Sequence, residues 1–117
     1  MMDSLGLCSW PLMGLKFKNY VPMVNSCLGT SYTADDLLKM GERIWNLERL
    51  FNLQAGFSSD DDVLPDRFSS EPIPEGPGKG QISRVAEMRP AYYQLRGWSD
   101  QGEPLPETIN NLGLENS

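Results

Sequence analysis

The sequence predicts a mostly α fold, an irregular helical domain with long Pro/Gly-rich connections. Three observations carry this. Residues 34–55 hold an apolar stripe at steps of three and four. Residues 84–96 hold a second helical pattern, bounded by Ser83 and Gly97. No segment shows the strict alternation of a half-buried strand.

The elements follow in chain order. Trp10, Pro11, Leu12, Met13, Leu15 and Phe17 are apolar without clean periodicity. A short helix is expected from Pro22 to Leu28, with Pro22 in its first turn and Gly29 as its left-handed stop. The clearest helix is Ala34 to Ala55. Thr33 can cap it, and Asp35 and Asp36 suit its first turn. Leu37, Met40, Ile44, Leu47 and Phe51 form one face, widened by Leu38 and Trp45. Gly56 ends the helix, and Phe57 is placed to pack back near Phe51. An isolated helix gains little from propensity, so this stripe needs a partner surface.

Residues 58–82 change character. They hold Asp60, Asp61 and Asp62, then Pro65, Pro72, Pro74 and Pro77 among Gly76, Gly78 and Gly80. This composition predicts an extended segment wrapping over something larger, with one turn of helix near Asp66 to Ser69. Leu64, Phe68 and Ile73 are expected to seek burial. Ser83 can cap the next helix, Arg84 to Arg96, with Val85, Met88, Tyr92 and Leu95 on one face. Pro90 should kink it or delay its start. A last short helix is expected from Glu107 to Leu112, between Pro106 and Gly113. The whole chain, 1–117, reads as one helical domain that normally packs on upstream domains.

Composition excludes several function classes. The chain has 117 residues, 39% hydrophobic and 22% charged, which suits one small domain. Its net charge of −6, with scattered basic residues, argues against a nucleic-acid partner. No apolar run is long enough to span a membrane. The start lacks the pattern of a signal peptide, so a cytoplasmic location is expected. There Cys8 and Cys27 are not expected to form a structural disulfide. The chain has no histidine, so it lacks the commonest general base and the commonest zinc ligand.

The chemistry-bearing stretch is Asp3-Ser4-Leu5-Gly6-Leu7-Cys8. A cysteine thiolate ligates iron–sulfur clusters, and a lone cysteine also serves as a small buried hydrophobe. The Asp3 carboxylate can accept two parallel N–H bonds from a guanidine-like edge, such as that of a pterin, or cap a helix. Gly6 admits close approach of a bulky group, or makes a turn. Other features have plainer readings. Asp60 to Asp62 lack the spacing of a calcium loop and suit solvation and capping. Glu42, Arg43, Glu48 and Arg49 suit solvent or interdomain ion pairs rather than catalysis. Tyr92, Tyr93 and Trp98 suit core or interface packing better than a substrate channel.

The stretch 3–8 resembles the D-x-x-G-L-C motif of the tungsten-containing aldehyde:ferredoxin oxidoreductase family. Four further segments resemble that family in the same order. Residues 41–49 are similar to its G-E-R-x-x-N-L-E-R helix, and residues 61–68 to D-D-x-L-P-x-R-F. Residues 75–80 and 92–98 resemble its final signatures. Five ordered matches are far more specific than one.

The resemblance implies that Asp3 hydrogen-bonds a pterin of a tungsten bis-pterin cofactor. It implies that Cys8 is one ligand of a 4Fe–4S cluster, with Gly6 and Leu7 offering backbone contacts. The implied chemistry is oxidation of an aldehyde to a carboxylic acid, with electrons leaving through the cluster to ferredoxin. The similarity is to the C-terminal part of such enzymes. It does not include their cofactor-cradling β domain, the other three cluster cysteines or the acid/base residues. Cys27 matches none of the ligands and is assigned to packing. Alone, the chain is expected to be inactive and to hold no intact cluster. A subunit of the tungsten-dependent benzoyl-CoA reductase type shares the same signatures, and a non-catalytic helical interaction module remains the reading from another class.

Overall fold

The computed structural model describes residues 3–6, 8, 10 and 14–115. The described residues are mostly helical, and the β pairing among them is a single bridge between Trp98 and Pro104. None of the helices described is long and apolar enough to cross a membrane. The chain divides into two compact units, Met1–Leu47 and Glu48–Ser117.

The first unit opens with a 3-10 turn, Asp3–Leu5. A second 3-10 turn, Phe17–Asn19, leads into helix α1, Tyr20–Leu28. Pro22 lies in the first turn of α1, where its missing N–H costs nothing. Gly29 ends the helix at φ 65°, as the sequence predicts. The next turn is stapled by Asn25. Its Nδ2 donates to the Tyr32 carbonyl at 2.9 Å, and its Oδ1 accepts from the Thr30 hydroxyl and the Tyr32 amide. Tyr20, Val24 and Leu37 are buried apolar side chains of this unit.

Helix α2, Ala34–Gln54, begins where expected. Asp36 Oδ2 accepts from the Thr33 amide and hydroxyl at 2.7 Å, and Thr33 Oγ1 accepts from the Asp36 amide. This reciprocal cap satisfies donors that a helix start leaves orphaned. The Thr33 hydroxyl, and then its amide, hold the Asp36 carboxyl below its ordinary value.

The stripe predicted for α2 is only partly covered. Leu37 is 1% exposed, whereas Leu47 and Phe51 are 46% and 68% exposed. Trp45, Leu38 and Phe57 are exposed as well. The fully covered positions toward the end of the helix are polar, Asn46 and Arg49. Periodicity identifies a helix. It does not choose the covered side of one that carries apolar groups around much of its circumference.

The second unit starts with the end of α2. A 3-10 turn, Ser59–Asp61, follows, capped reciprocally by Ser58 and Asp61. Helix α3, Arg67–Ser70, falls one residue from the turn of helix predicted there. The following loop closes on itself: the Ile73 amide donates to the Gln81 carbonyl and the Gly80 amide to the Ile73 carbonyl. Leu64, Phe68 and Ile73, expected to seek burial, are 44–51% exposed.

Helix α4, Val85–Leu95, starts at Val85 and continues through Pro90. The proline therefore does not delay its start. Val85, Met88, Tyr92 and Leu95 share one face of the helix as predicted, but that face is not the covered one. Tyr93 is the buried side chain, while Met88 and Leu95 are 67% and 84% exposed. Helix α5, Pro106–Leu112, has its proline at the first position, where no donor is lost, and Gly113 as its left-handed stop. The apolar core of this unit holds Tyr93, Trp98, Leu112 and Leu114.

Candidate functional site

The segment that carries the chemistry is short and turned. Asp3 to Leu5 form the 3-10 turn, and Gly6 leaves it at φ 67°. A side chain is disfavoured at that angle, so glycine here answers a backbone need. No described atom lies within 4 Å of where a Cβ on Gly6 would stand. Cys8 follows as a free, exposed thiol. Leu7 lies outside the described residues, and of Asp3 the backbone alone is described.

A thiolate is a donor that iron–sulfur clusters use, and Cys8 stands alone in offering one on this segment among the described residues. Among the described residues, no group of three or more Cys, Asp or Glu is placed to hold a metal ion. A 4Fe–4S cluster takes four thiolates. Cys8 has the donor chemistry of a single such ligand, and the described residues by themselves assemble no cluster site. Cys27, assigned to packing from the sequence, is exposed on α1 and fills no core. The buried positions of α1 are Tyr20 and Val24.

The most developed polar constellation is one the sequence reading did not assemble. Arg49, near the end of α2, is 7% exposed. Its Nε donates to the Gly102 carbonyl at 2.8 Å and its Nη1 to Asp62 Oδ1 at 3.0 Å. Nη2 stands 2.7 Å from Asp62 Oδ2, an ion pair without the alignment of a hydrogen bond. The guanidinium also lies 5.0 Å from the Trp98 ring centre and 5.9 Å from that of Tyr93, within cation–π range. The Tyr93 hydroxyl donates to Asp62 Oδ2. Arg89 Nη1 donates to the Ser59 carbonyl at 2.9 Å.

One buried cation thus ties four segments: the end of α2, the loop at Asp62, α4 through Tyr93, and the turn at Gly102. Partial burial acts to raise the Asp62 pKa. The Tyr93 and Arg49 hydrogen bonds and the two nearby arginine charges outweigh it, so the carboxyl sits below its ordinary value. Burial, then the bond to Asp62, pushes the Tyr93 phenol up. The Asp62 carboxylate is engaged by Arg49 and Tyr93, and the Arg49 guanidinium by Asp62 and the Gly102 carbonyl. Its chemistry is that of a clamp.

Of the three aspartates at 60–62, Asp61 caps its own turn, which is the capping role expected from the sequence. Asp62 instead belongs to the clamp. Arg49, expected at solvent or an interdomain pair, is buried and paired inside its own unit. Tyr93 and Trp98 pack as expected, with ring centres 5.7 Å apart. The signal for the clamp was present: Asn46, Arg49 and Leu53 share a helix side, and Arg49 is the long polar group among them.

Gly102 is where the clamp closes most tightly. Its φ is 73°, and a Cβ there would meet Arg49 Nη2 and lie 2.9 Å from Tyr93 Cζ. Gly102→Ala should therefore destabilise the chain by about 2 kcal/mol or more, the left-handed strain of a non-glycine residue plus the displaced guanidinium. Urea unfolding checks this. An unchanged midpoint would contradict the packing described.

Comparison with known proteins gives a consistent set of relatives. Residues 1–114 match the family model described as aldehyde ferredoxin oxidoreductase, domains 2 and 3. The chain is 50% identical over 115 residues to the tungsten-containing aldehyde ferredoxin oxidoreductase of Pyrococcus horikoshii, covering 97% of this chain and 19% of that protein. The Pyrococcus furiosus enzyme of the same name is likewise 50% identical over 115 residues, covering 97% of this chain and 19% of that protein. The Thermococcus kodakarensis enzyme is 48% identical over 115 residues, again 97% of this chain and 19% of that protein. The chain therefore spans about one fifth of the length of the curated relatives it matches.

Proposed function

The chain belongs to the aldehyde ferredoxin oxidoreductase family, and from that premise we propose that it forms part of an enzyme oxidising aldehydes to carboxylic acids with ferredoxin as electron acceptor. The observation that carries this is the Asp3–Cys8 stretch: a tight turn, a left-handed glycine and an exposed free thiol in six residues. When bound, the tungsten bis-pterin supplies the two-electron oxidation and the 4Fe–4S cluster passes the electrons on singly.

This chain's own residues would hold one part of each group. Asp3 accepts paired N–H bonds from the pterin edge, which favours a carboxylate over a neutral acceptor. Gly6, at its left-handed angle, would leave room for the cofactor to approach the backbone, and Leu7 would add backbone contact. Cys8 gives one thiolate to the cluster, and the other three come from the remaining domains of the same enzyme. Partial ligation of this kind makes the isolated chain inactive. The two free thiols suit a reducing cytoplasm.

The test is Asp3→Ala in the full-length enzyme. One charge-assisted paired hydrogen bond is worth roughly 1.5–3 kcal/mol, so the variant should retain pterin and tungsten roughly ten- to a hundredfold less tightly. Metal analysis after exhaustive dialysis reads this directly. Wild-type tungsten retention would remove Asp3 from the site.

A further inference from the structure

Three aromatic rings of the second unit stand close together. The ring centres of Tyr93 and Trp98 are 5.7 Å apart, those of Tyr92 and Trp98 5.9 Å, and those of Tyr92 and Tyr93 6.4 Å. These are the separations of paired rings, across which an electron passes readily. Tyr93 and Trp98 are 3% and 7% exposed, while Tyr92 reaches the surface at 36%. The cluster therefore runs from solvent into the core. One of its phenols is seated on a base, since the Tyr93 hydroxyl donates to Asp62 Oδ2. The Tyr92 oxygen instead accepts from Arg96 Nε at 3.1 Å, and a guanidinium takes up no proton.

We propose that Tyr92, Trp98 and Tyr93 form a one-electron relay that collects oxidising equivalents at the surface and rests them on Tyr93, which gives its proton to Asp62. The relay is separate from the Asp3–Cys8 stretch and stands or falls without it. The oxidant is a diffusible radical of the hydroxyl or peroxyl class. It takes one electron from the cluster, and Tyr93 refills the vacancy. An oxidised phenol is a strong acid, so its O–H bond breaks as the electron leaves. The proton crosses the existing hydrogen bond to the Asp62 carboxylate. Tyr93 becomes a neutral phenoxyl radical, and a hydroxyl radical leaves as hydroxide. The Asp62 side chain is 32% exposed. Against its partial burial, the Tyr93 and Arg49 hydrogen bonds hold its carboxyl below the ordinary value, so at neutral pH the proton passes on to water. One electron from a thiolate and one proton from water restore the phenol.

Arg49 decides where the oxidation rests. Its guanidinium lies 5.0 Å from the Trp98 ring centre. A positive charge at that distance opposes an indole radical cation. It opposes a neutral phenoxyl radical far less. Trp98 is thus a passage and Tyr93 the resting point.

The experiment uses the full chain, oxidised by a laser flash in the presence of ruthenium tris(bipyridine) and persulfate. Samples frozen after the flash are read by EPR, with ring-deuterated tyrosine identifying the signal. The wild type should give a tyrosyl radical. Tyr93→Phe should lower its yield about tenfold or more, the advantage that a hydrogen bond to a charged acceptor confers. Tyr92→Phe should keep most of the signal. Asp62→Asn keeps an acceptor oxygen but not the base, and should lose the signal as Tyr93→Phe does. Tyr93→Phe preserves the packing of the ring, so it reads the relay even where Asp62→Asn loosens the clamp. A wild type without a tyrosyl signal would overturn the proposal. So would equal yields from wild type and Tyr93→Phe, a signal lost in Tyr92→Phe alone, or one retained in Asp62→Asn.

Discussion

Replacing Asp62 by alanine is expected to destabilise the chain by about 3 kcal/mol, more than the roughly 2 kcal/mol expected for Arg49→Met. The asymmetry follows from exposure. The Arg49 side chain is 8% exposed and that of Asp62 is 32% exposed. Removing Asp62 strands a buried guanidinium, which water cannot reach. Removing Arg49 leaves a carboxylate that can rehydrate on its open side and keeps the Tyr93 hydroxyl as a donor. Methionine also preserves much of the packing against Trp98 and Tyr93. Urea unfolding of both variants checks the order. An equal or reversed pair would mean that the ion pair behaves as a surface one.

Acid provides a second check on the same pair. The folded-state pKa of Asp62 lies below its ordinary value of 3.8. The stability it contributes is therefore fully present above that value, and is lost as pH falls through the lower folded pKa. The gap between wild type and Asp62→Ala should hold at neutral pH and narrow below pH 3.8. A gap that narrowed already near neutrality would point to another titrating group.

The helices were legible because their signals are local. Thr33, Gly29, Gly97, Pro106 and Gly113 each mark a boundary through one residue's backbone needs, and the structure places ends at or within two residues of them. The covered faces were less legible. Met88, Tyr92 and Leu95 share a stripe that periodicity assigns to a core, yet Tyr93 beside them is the residue that is buried. Periodicity ranks sides by hydrophobicity, whereas the clamp selects a side through a hydrogen bond to Asp62, distant in sequence.

The same distinction applies to the polar residues. Arg49 pairs with Asp62 thirteen residues away and with the Gly102 carbonyl fifty-three residues away. Neither spacing forms a motif, so the residues read as ordinary surface charges. The Asp3–Cys8 stretch could be singled out for the opposite reason, since its residues are contiguous and resemble a family motif in order, and its role remains the proposal made above. The exposed Cys27 shows the limit of assigning a residue by elimination.

Cys8 carries the second large expectation. Its thiol is free and exposed, and a serine oxygen in its place is a harder donor with poor affinity for cluster iron. In the full-length enzyme, Cys8→Ser should leave the protein folded, because position 8 fills no core. Iron per polypeptide should fall by half or more, and electron delivery to ferredoxin should fall with it.

The most direct measurement is the iron content of purified full-length Cys8→Ser beside the wild type, with the reduced-cluster EPR signal recorded on both. The account predicts a clear loss of iron and of that signal in a protein with an unchanged melting profile apart from the lost cluster. Wild-type iron with an intact signal would contradict it, and would remove this chain from the electron path.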